Sequence, residues 1–287
     1  MTDSYTRIGV DLCDNVYYVS RVLHGTGRLQ VKALIRYEKD HLSDHHFLNS
    51  GKVILSIPEN KAIIKKIKLI DVKIEDVKNR ASFELLQSIP DNPDDYYCEI
   101  LETGIKGTYL GMAAHIKDLE TSVVDPFYKA ANLNEKPGTQ VRGVALGMGY
   151  ITFCHPESGE MVVLIDIYGA MASICFVYKR NIIGIANLRL KKADIINEGG
   201  LNSFAVELKT LINYHLNSIF HDNATLPLSA LLISGFDSLA MAVPILKKYF
   251  PVMVGQPRLN HGYFTEPEKM AGVPLEKYLV ALGLAIN

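Results

Sequence analysis

The chain has 287 residues, and its 30 Lys and Arg residues nearly balance its 31 Asp and Glu residues. This length accommodates one large domain or two ordinary ones, and the balanced charge argues against nucleic acid as a partner, because phosphate binding favours an excess of basic residues. The four cysteines are far apart and form no CxxC pair, so the sequence supports neither a redox motif nor a cysteine metal site.

The sequence shows no candidate for membrane insertion. Its longest apolar runs have the length of strands, well short of the ~20 residues that a spanning helix needs. Residues 1–7 lack the basic and apolar regions of a signal peptide. We therefore expect a soluble cytoplasmic protein that does not insert into a membrane directly, and attachment to a membrane through a partner is left open.

The chain opens with three predicted strands joined by short turns. An apolar strand at 8–11 ends at Asp11, and the pattern then predicts strands at 16–22 and 29–35 around a glycine turn at 25–27. A carboxylate at the tip of such a strand lies where α/β folds bind phosphates or metals. Asp11 is therefore the first candidate site residue.

Residues 51–115 are predicted to form a compact α+β insert of strands around one helix. An apolar strand at 52–57 precedes the alternating strand 62–69, whose pattern is typical of an exposed strand. A helix over 71–89 follows, because its apolar residues recur every three or four positions. The remaining predicted elements are two strands, at 96–102 and 108–115.

Between the insert and the second half, the sequence predicts an interrupted helix and a strand. The helix covers 116–133, and Pro126 inside it is expected to kink it or to start a second helix capped by Asp125. Residues 139–146 are predicted to form a strand that leads to the glycines at 147–149, as a turn or the start of a helix.

The segment 154–159 marks a boundary, and the opening order of elements repeats after it. Residues 161–165 form an apolar strand without polar alternation, which predicts a central strand covered on both faces. An Asp and glycine turn at 166–170 and strands at 173–178 and 182–190 complete the second copy. Asp166 therefore corresponds to Asp11.

The rest of the chain is predicted to alternate helices and short strands. An amphipathic helix at 201–221 precedes a buried strand at 229–234, a glycine turn at 235–237 and helices at 239–250 and 275–285. Together with the repeat and the insert, this order predicts an α/β protein with a duplicated actin-like (ribonuclease H-like) fold. Its halves are 1–154 and 155–287, and the second has a reduced outer subdomain.

Several stretches, in the right order along most of the chain, resemble the type IV pilus assembly protein PilM, a relative of the cell-division protein FtsA. The strand 8–11 resembles the opening strand of that family, and 83–101 (FELLQSIPDNPDDYYCEIL) resembles its helix with a proline break. The segment 207–217 (ELKTLINYHLN) is similar to its long helix, and 231–235 and 280–285 are similar to its last strand and last helix.

This resemblance implies a scaffold at the cytoplasmic face of the inner membrane, in a type IV pilus or type II-like secretion assembly platform. Its expected partner is the cytoplasmic N-terminal tail of a single-pass membrane protein, held in a groove beside the insert near 52–69 and the helix 75–89. The expected contacts are Ile63, Lys65, Ile67, Leu69 and Glu84. An ordinary sheet edge explains the alternating strand equally well, and self-association is left open.

The resemblance also implies a nucleotide cleft between the halves, in which Asp11 and Asp166 hold Mg²⁺ through water if ATP binds. The residues that would then surround the nucleotide are Asp11, Asp14, Asn15, Asp166, Gly169, Glu207, Ser234 and Gly235. No metal is expected without the nucleotide.

Three loops depart from the nucleotide-binding pattern of the family. In the first loop, Cys13 replaces a glycine, Asp14 replaces a serine and Tyr18 replaces a lysine. Tyr168 and Phe236 stand where the family has glycines in the other two loops. The added carboxylate would repel a triphosphate by about a kcal/mol or more. We therefore predict weak or absent ATP binding and no turnover, and assign no catalytic residue.

Two functions stay open at this point. The first is a non-catalytic scaffold with a degenerate nucleotide site, and the second is an ATP-binding switch or slow ATPase of the actin-like superfamily. A kinase ranks third, because the sequence offers no general base beyond Asp11 and Asp166.

Overall fold

The computed structural model describes residues 4–13, 15–44, 46–69, 76–156, 161–190, 197–219, 228–235, 239–265 and 273–286. Its first sheet has five strands in the order β3-β2-β1-β4-β8. These strands are β1 (Tyr5–Cys13), β2 (Val16–Gly25), β3 (Arg28–Glu38), β4 (Lys52–Ile57) and β8 (Gly138–Val141). The three predicted opening strands are confirmed as an antiparallel meander, and β4 runs parallel to β1.

A second sheet of five strands repeats the first, in the order β11-β10-β9-β12-β13. Its strands are β9 (Met161–Tyr168), β10 (Met171–Tyr178), β11 (Asn181–Arg189), β12 (Ala230–Ser234) and β13 (Met253–Gly255). Every residue of β9 is buried, as the apolar run without alternation predicts. Since β12 pairs with β9 in parallel, as β4 pairs with β1, the duplication predicted from sequence is present in the topology.

The insert is a separate antiparallel sheet covered by one helix. Its strands, in the order β5-β7-β6, are β5 (Ile63–Lys68), β6 (Tyr96–Glu102) and β7 (Thr108–His115). Helix α1 (Val77–Leu86) packs Ala81 and Leu85 onto this sheet; the predicted helix start at 71–75 lies outside the described residues. The expected insert boundary at 51 is wrong, because β4 is buried in the first sheet, and the insert begins after it.

The helical connection after β7 is continuous but contains a wider turn. It consists of α2 (Ile116–Leu119), a π-helical turn (Glu120–Val124) and α3 (Asp125–Ala130). Asp125 has helical dihedral angles (φ −64°, ψ −40°), so the expectation that it caps a second helix is wrong. The π-turn accommodates Pro126, whose missing N–H would leave an ordinary helix one hydrogen bond short.

The strand predicted at 139–146 ends earlier, at Val141, and helix α4 (Arg142–Phe153) follows at once. Nearly all of α4 is buried, so its sequence lacks the polar face that identifies a surface helix. The glycines at 147–149, predicted as a turn or the start of a helix, are neither, because they lie inside α4, which begins at Arg142. Their small size allows other elements to approach the helix closely.

Three more helices complete the chain: α5 (Glu198–Ile219), α6 (Leu239–Tyr249) and α7 (Leu279–Leu284). Helix α5 begins at Glu198, before the start predicted at 201. The ring of His215 on this helix stacks on Phe176, with 5.1 Å between the ring centroids. Helix α7 packs on α4 and β1, within a hydrophobic core to which both halves contribute. None of the described helices combines the length and apolarity needed to span a membrane.

The α4–α7 contact depends on glycines, which gives a test of the packing. A Cβ atom at Gly283 would lie 1.8 Å from the carbonyl oxygen of Ala145. We expect Gly283→Ala to lower the free energy of unfolding by about 3 kcal/mol, because the two helices would have to separate. Urea unfolding measures this. The control is Gly199→Ala on α5, where the added Cβ is 3.5 Å from its nearest neighbour; equal stability of the two variants would contradict the packing argument.

Candidate functional site

The duplication brings two buried carboxylates to equivalent positions in the two halves. Ser56 of β4 donates a hydrogen bond to Asp11 Oδ1 at 2.6 Å, and Ser234 of β12 donates to Asp166 Oδ1 at 2.7 Å. Each serine lies on the strand that runs parallel to the strand of its aspartate. All four side chains are buried, so each carboxylate has one neutral partner from its own half.

Arg142, the first residue of α4, lies between the two carboxylates. Its Nε and Nη2 atoms donate to Asp166 Oδ2 at 2.9 and 2.6 Å, and its Nη1 donates to Asp11 Oδ1. Nη1 also donates to the carbonyl oxygen of Leu12 at 3.2 Å. Arg142 is only 2% exposed. The three side chains thus form a buried ionic triad, Asp11–Arg142–Asp166, that joins the two halves of the chain.

Arg142 is not among the residues predicted for the site, because the pattern of this segment predicts a strand. One signal was present: Arg142 is the only charged residue between Lys136 and His155 in a largely apolar run. A buried charge requires a partner. Such an isolated arginine in an apolar segment therefore indicates an ion pair with an acid elsewhere in the fold.

The charges of the triad do not cancel when all three groups are ionised. Burial, with the charge of Asp166, raises the pKa of Asp11 to about 6 despite the opposing effects of Arg142 and Ser56. Burial alone would lower the pKa of Arg142, but the two aspartates raise it above its usual value, so this guanidinium keeps its charge. Asp11 Oδ2 is buried without a hydrogen-bond partner, which is where a proton would reside.

Tyr168, at the end of β9, covers the triad. Its ring lies 3.8 Å from the guanidinium carbon of Arg142, close enough for a cation–π contact. Its hydroxyl donates to Oε2 of the buried Glu59 at 3.2 Å. Burial raises the pKa of Glu59 above its usual value. Glu59, which the sequence analysis did not single out, thus extends the buried polar network between the halves.

These contacts do not fit a magnesium-bound nucleotide. The two carboxylates that would hold the cation already bind Arg142, so a metal would have to displace a buried guanidinium. Among the described residues, no group of three or more His, Cys, Asp or Glu side chains is arranged to hold a metal ion.

The remaining residues predicted around a nucleotide are dispersed. Asn15 is exposed, and its carbonyl accepts a hydrogen bond from the Lys39 backbone at 2.8 Å. Gly169 adopts a left-handed φ of +54° in the turn after β9, and Glu207 is exposed on α5. Asp14 lies outside the described residues. Of the eight predicted residues, the structure therefore brings Asp11, Asp166, Ser234 and Gly235 to the triad, the last through its contact with Asp166.

The five predicted partner contacts lie where β5 packs against α1. Ile67 is only 2% exposed, so the expectation that its side chain is exposed is wrong: α1 covers it. Ile63 and Leu69 are half-buried beside it, and Lys65 Nζ donates to the carbonyl oxygen of Glu84 at 2.6 Å. The alternation in this strand reflects one face under α1 and another facing the core of the first half.

A groove of about 360 Å³ lies between the insert and the first sheet. It is bounded by β6 and β8, which are the last strands of their sheets in the described chain. Met112 and Leu119 contribute apolar surface, and Tyr97 lines the groove with 56% of its surface exposed. Gln140 Nε2 donates to Glu99 Oε2 across the groove at 3.1 Å. The groove therefore combines two free strand edges with an apolar wall.

The triad makes a direct stability prediction. We expect Arg142→Met to lower the free energy of unfolding by about 3–5 kcal/mol, because it leaves two uncompensated buried carboxylates. Adding Asp166→Asn should recover part of this loss, since it removes one of those charges. Urea unfolding of the single and double variants measures the coupling.

Arg36→Met is the matched control for this experiment, because Arg36 forms an exposed ion pair with Glu38 at 2.9 Å. We expect that variant to lose less than about 1 kcal/mol. An Arg142→Met protein as stable as Arg36→Met would contradict the role assigned to the triad.

Comparisons with known proteins agree with this topology. No protein-family model matches the chain, and no curated protein sequence matches it significantly. Among solved structures, the PilM–PilN type IV pilus biogenesis complex is similar over 98% of this chain and 97% of the other, with a TM-score of 0.64 and 13% identity.

Two further structures are similar at lower scores. One is a Bacteroides thetaiotaomicron protein of unknown function with an actin-like ATPase fold: TM-score 0.49, 7% identity, covering 93% of this chain and 95% of the other. The second is the cytoplasmic domain of EpsL, an inner-membrane component of the type II secretion system of Vibrio cholerae: TM-score 0.46, 11% identity, covering 81% and 86%. The resemblance to PilM seen in the sequence is confirmed at the level of the fold by the similarity to the PilM–PilN complex and by the repeated sheet topology: the chain has a duplicated actin-like fold.

Proposed function

We propose that this chain is a cytoplasmic scaffold of a type IV pilus or type II-like secretion assembly platform. In this proposal it binds the cytoplasmic N-terminal tail of a single-pass inner-membrane protein and is held at the membrane by that partner. The groove between β6 and β8 is the observation that carries the proposal. The fold shared with PilM, whose solved structure is a complex with PilN, supports it.

The groove suits an extended peptide better than a folded domain. Backbone N–H and C=O groups on the outer edges of β6 and β8 lack strand partners in the described part of the chain, and an added strand would pair with them. The apolar wall would receive alternate side chains of such a strand, because successive side chains point in opposite directions. The polar pair of Glu99 and Gln140 offers hydrogen bonds at the base.

This location refines the contacts expected from the sequence. Ile57 and Ala62 line the groove, so the segment 52–69 contributes to it through residues other than the five predicted ones. Lys65 and Glu84 instead join β5 to α1, where they would support the groove from behind. In the proposal, the tail therefore contacts β6, β8 and the turn before β5.

We further propose that the nucleotide site is degenerate and that the scaffold works without ATP hydrolysis. The guanidinium of Arg142 takes the position between the carboxylates that a cation would need, and Tyr168 covers it. The alternative of an ATP-binding switch or slow ATPase requires Arg142 to move away from both aspartates. Such a movement would expose buried charges, which costs several kcal/mol.

A nucleotide titration separates these alternatives. We expect Mg-ATP up to millimolar concentrations to leave the melting temperature unchanged, measured by differential scanning fluorimetry against Mg²⁺ alone. A site with a dissociation constant one hundredth of the ATP concentration would add about 2.7 kcal/mol, which is readily detected. A shift of several degrees that Asp166→Ala abolishes would instead support the ATP-binding switch.

The groove is tested by a pull-down from detergent-solubilised membranes of the source cells. We expect the wild-type chain to retain a single-pass membrane protein, and Tyr97→Ala, which removes an exposed aromatic surface from the groove, to reduce retention at least tenfold. Titration with a synthetic peptide of the N-terminal tail of that protein should show the same loss.

Tyr214→Ala is the matched control, because Tyr214 is a more exposed tyrosine (69%) on α5 and does not line the groove. Thr139→Trp, which places a large side chain in the groove, should also block binding. Retention unaffected by Tyr97→Ala and Thr139→Trp, or no single-pass partner at all, would refute the proposal.

A further inference from the structure

A second cavity, of about 200 Å³, lies in the first half at the carboxyl ends of β1 and β4. Its walls are formed by Val10 and Leu55 from these strands and by Val123 and Phe127 from the helical connection. Tyr168 of β9 lines it as well, so the cavity extends to the junction of the two halves. The carboxyl ends of parallel strands are where open α/β sheets bind small ligands.

The charged lining of this cavity has a single sign. Lys39, Lys61 and Arg142 line it, and no Asp or Glu is among its described lining residues. Arg142 is paired with two aspartates, whose negative charges together exceed its own, so the positive charge available to a ligand comes from the two lysines. Lys61 Nζ donates to Ser122 Oγ, another lining residue of the cavity, at 2.9 Å. A ligand with a single negative charge would therefore be attracted.

The cavity is too small for a nucleotide. Pockets that take drug-sized ligands have about 300–1,000 Å³, and this one is smaller. Two of its walls are aromatic: the rings of Tyr17 and Phe127 meet edge to face, with centroids 5.3 Å apart. A compact apolar group, flat enough to lie against these rings, fits such a space.

The geometry points to a binding site for a small carboxylic acid with a compact apolar or aromatic body. The apolar body lies between the sheet and the helical connection, and the carboxylate faces the ammonium groups of Lys39 and Lys61. This site is independent of the proposed tail groove, since the two share no lining residue. It also differs from a nucleotide site, because neither Ser234 nor Gly235 lines it.

The test uses benzoate and hexanoate as probes, with benzamide and hexanamide as neutral analogues of the same shape. We expect the carboxylates to raise the melting temperature and to shift the methyl resonances of Val10 and Leu55 in NMR titrations at millimolar concentrations. The amides should bind at least tenfold more weakly, because they lack the charge. Raising the salt concentration should weaken carboxylate binding.

Substitution of the lysines tests the position of the carboxylate. Each of Lys39→Ala and Lys61→Ala should weaken binding several-fold, and the double variant at least tenfold. These side chains are exposed, so the variants should fold as the wild type does. Lys32→Ala is the control, because Lys32 is an exposed lysine on β3 outside the cavity.

Three results would overturn the inference. The first two are amides that bind as tightly as the acids, and a Lys32→Ala variant that loses as much affinity as the double variant. The third is no carboxylate binding up to about 50 mM, a concentration far above the millimolar dissociation constants expected for a ligand of this size. None of these measurements depends on the tail partner. The small-acid site and the scaffold proposal can therefore fail separately.

Discussion

The arrangement of the two halves depends on one guanidinium between two buried carboxylates. Asp11 and Asp166 reach equivalent positions because the same strand order occurs twice, and two buried carboxylates in such proximity would repel each other strongly. Arg142 offsets part of this repulsion with hydrogen bonds to both. The chain thus supplies a cation between the two acids from its own helix α4.

This internal cation changes how the fold can be used. A cleft joined by its own side chains needs no ligand to connect its halves, and Tyr168 with Glu59 extends the connection. The insert adds a second link, since Lys66 Nζ donates to Ser218 Oγ on α5 at 3.1 Å. Both links join the two halves through side chains of the chain itself. That property suits a scaffold better than a switch.

The sequence predicts the sheets well and the triad only in part, for physical reasons. The strands and both aspartates follow local patterns of apolar runs and turns. Helix α4 is buried on nearly every side, so its sequence carries no periodic polar face. The apolar pattern around Arg142 therefore predicts a strand instead of a helix. The predicted exposure of Ile67 is wrong for a related reason. Alternation of residue types along a strand shows only that its two faces have different environments, and α1, which follows β5 in the sequence, covers one of these faces.

The π-turn at Glu120–Val124 connects the two proposed sites physically. Leu119, Glu120 and Val124 line the groove, whereas Ser122 and Val123 line the small cavity, so one short segment forms a wall of both. A π-turn adds a residue to the helix and turns neighbouring side chains to faces that a regular helix would not offer. From the sequence only Pro126 marks this place, because the added residue changes no local pattern. An occupant of the cavity and a tail in the groove would therefore contact opposite sides of the same turn, although the two sites share no lining residue.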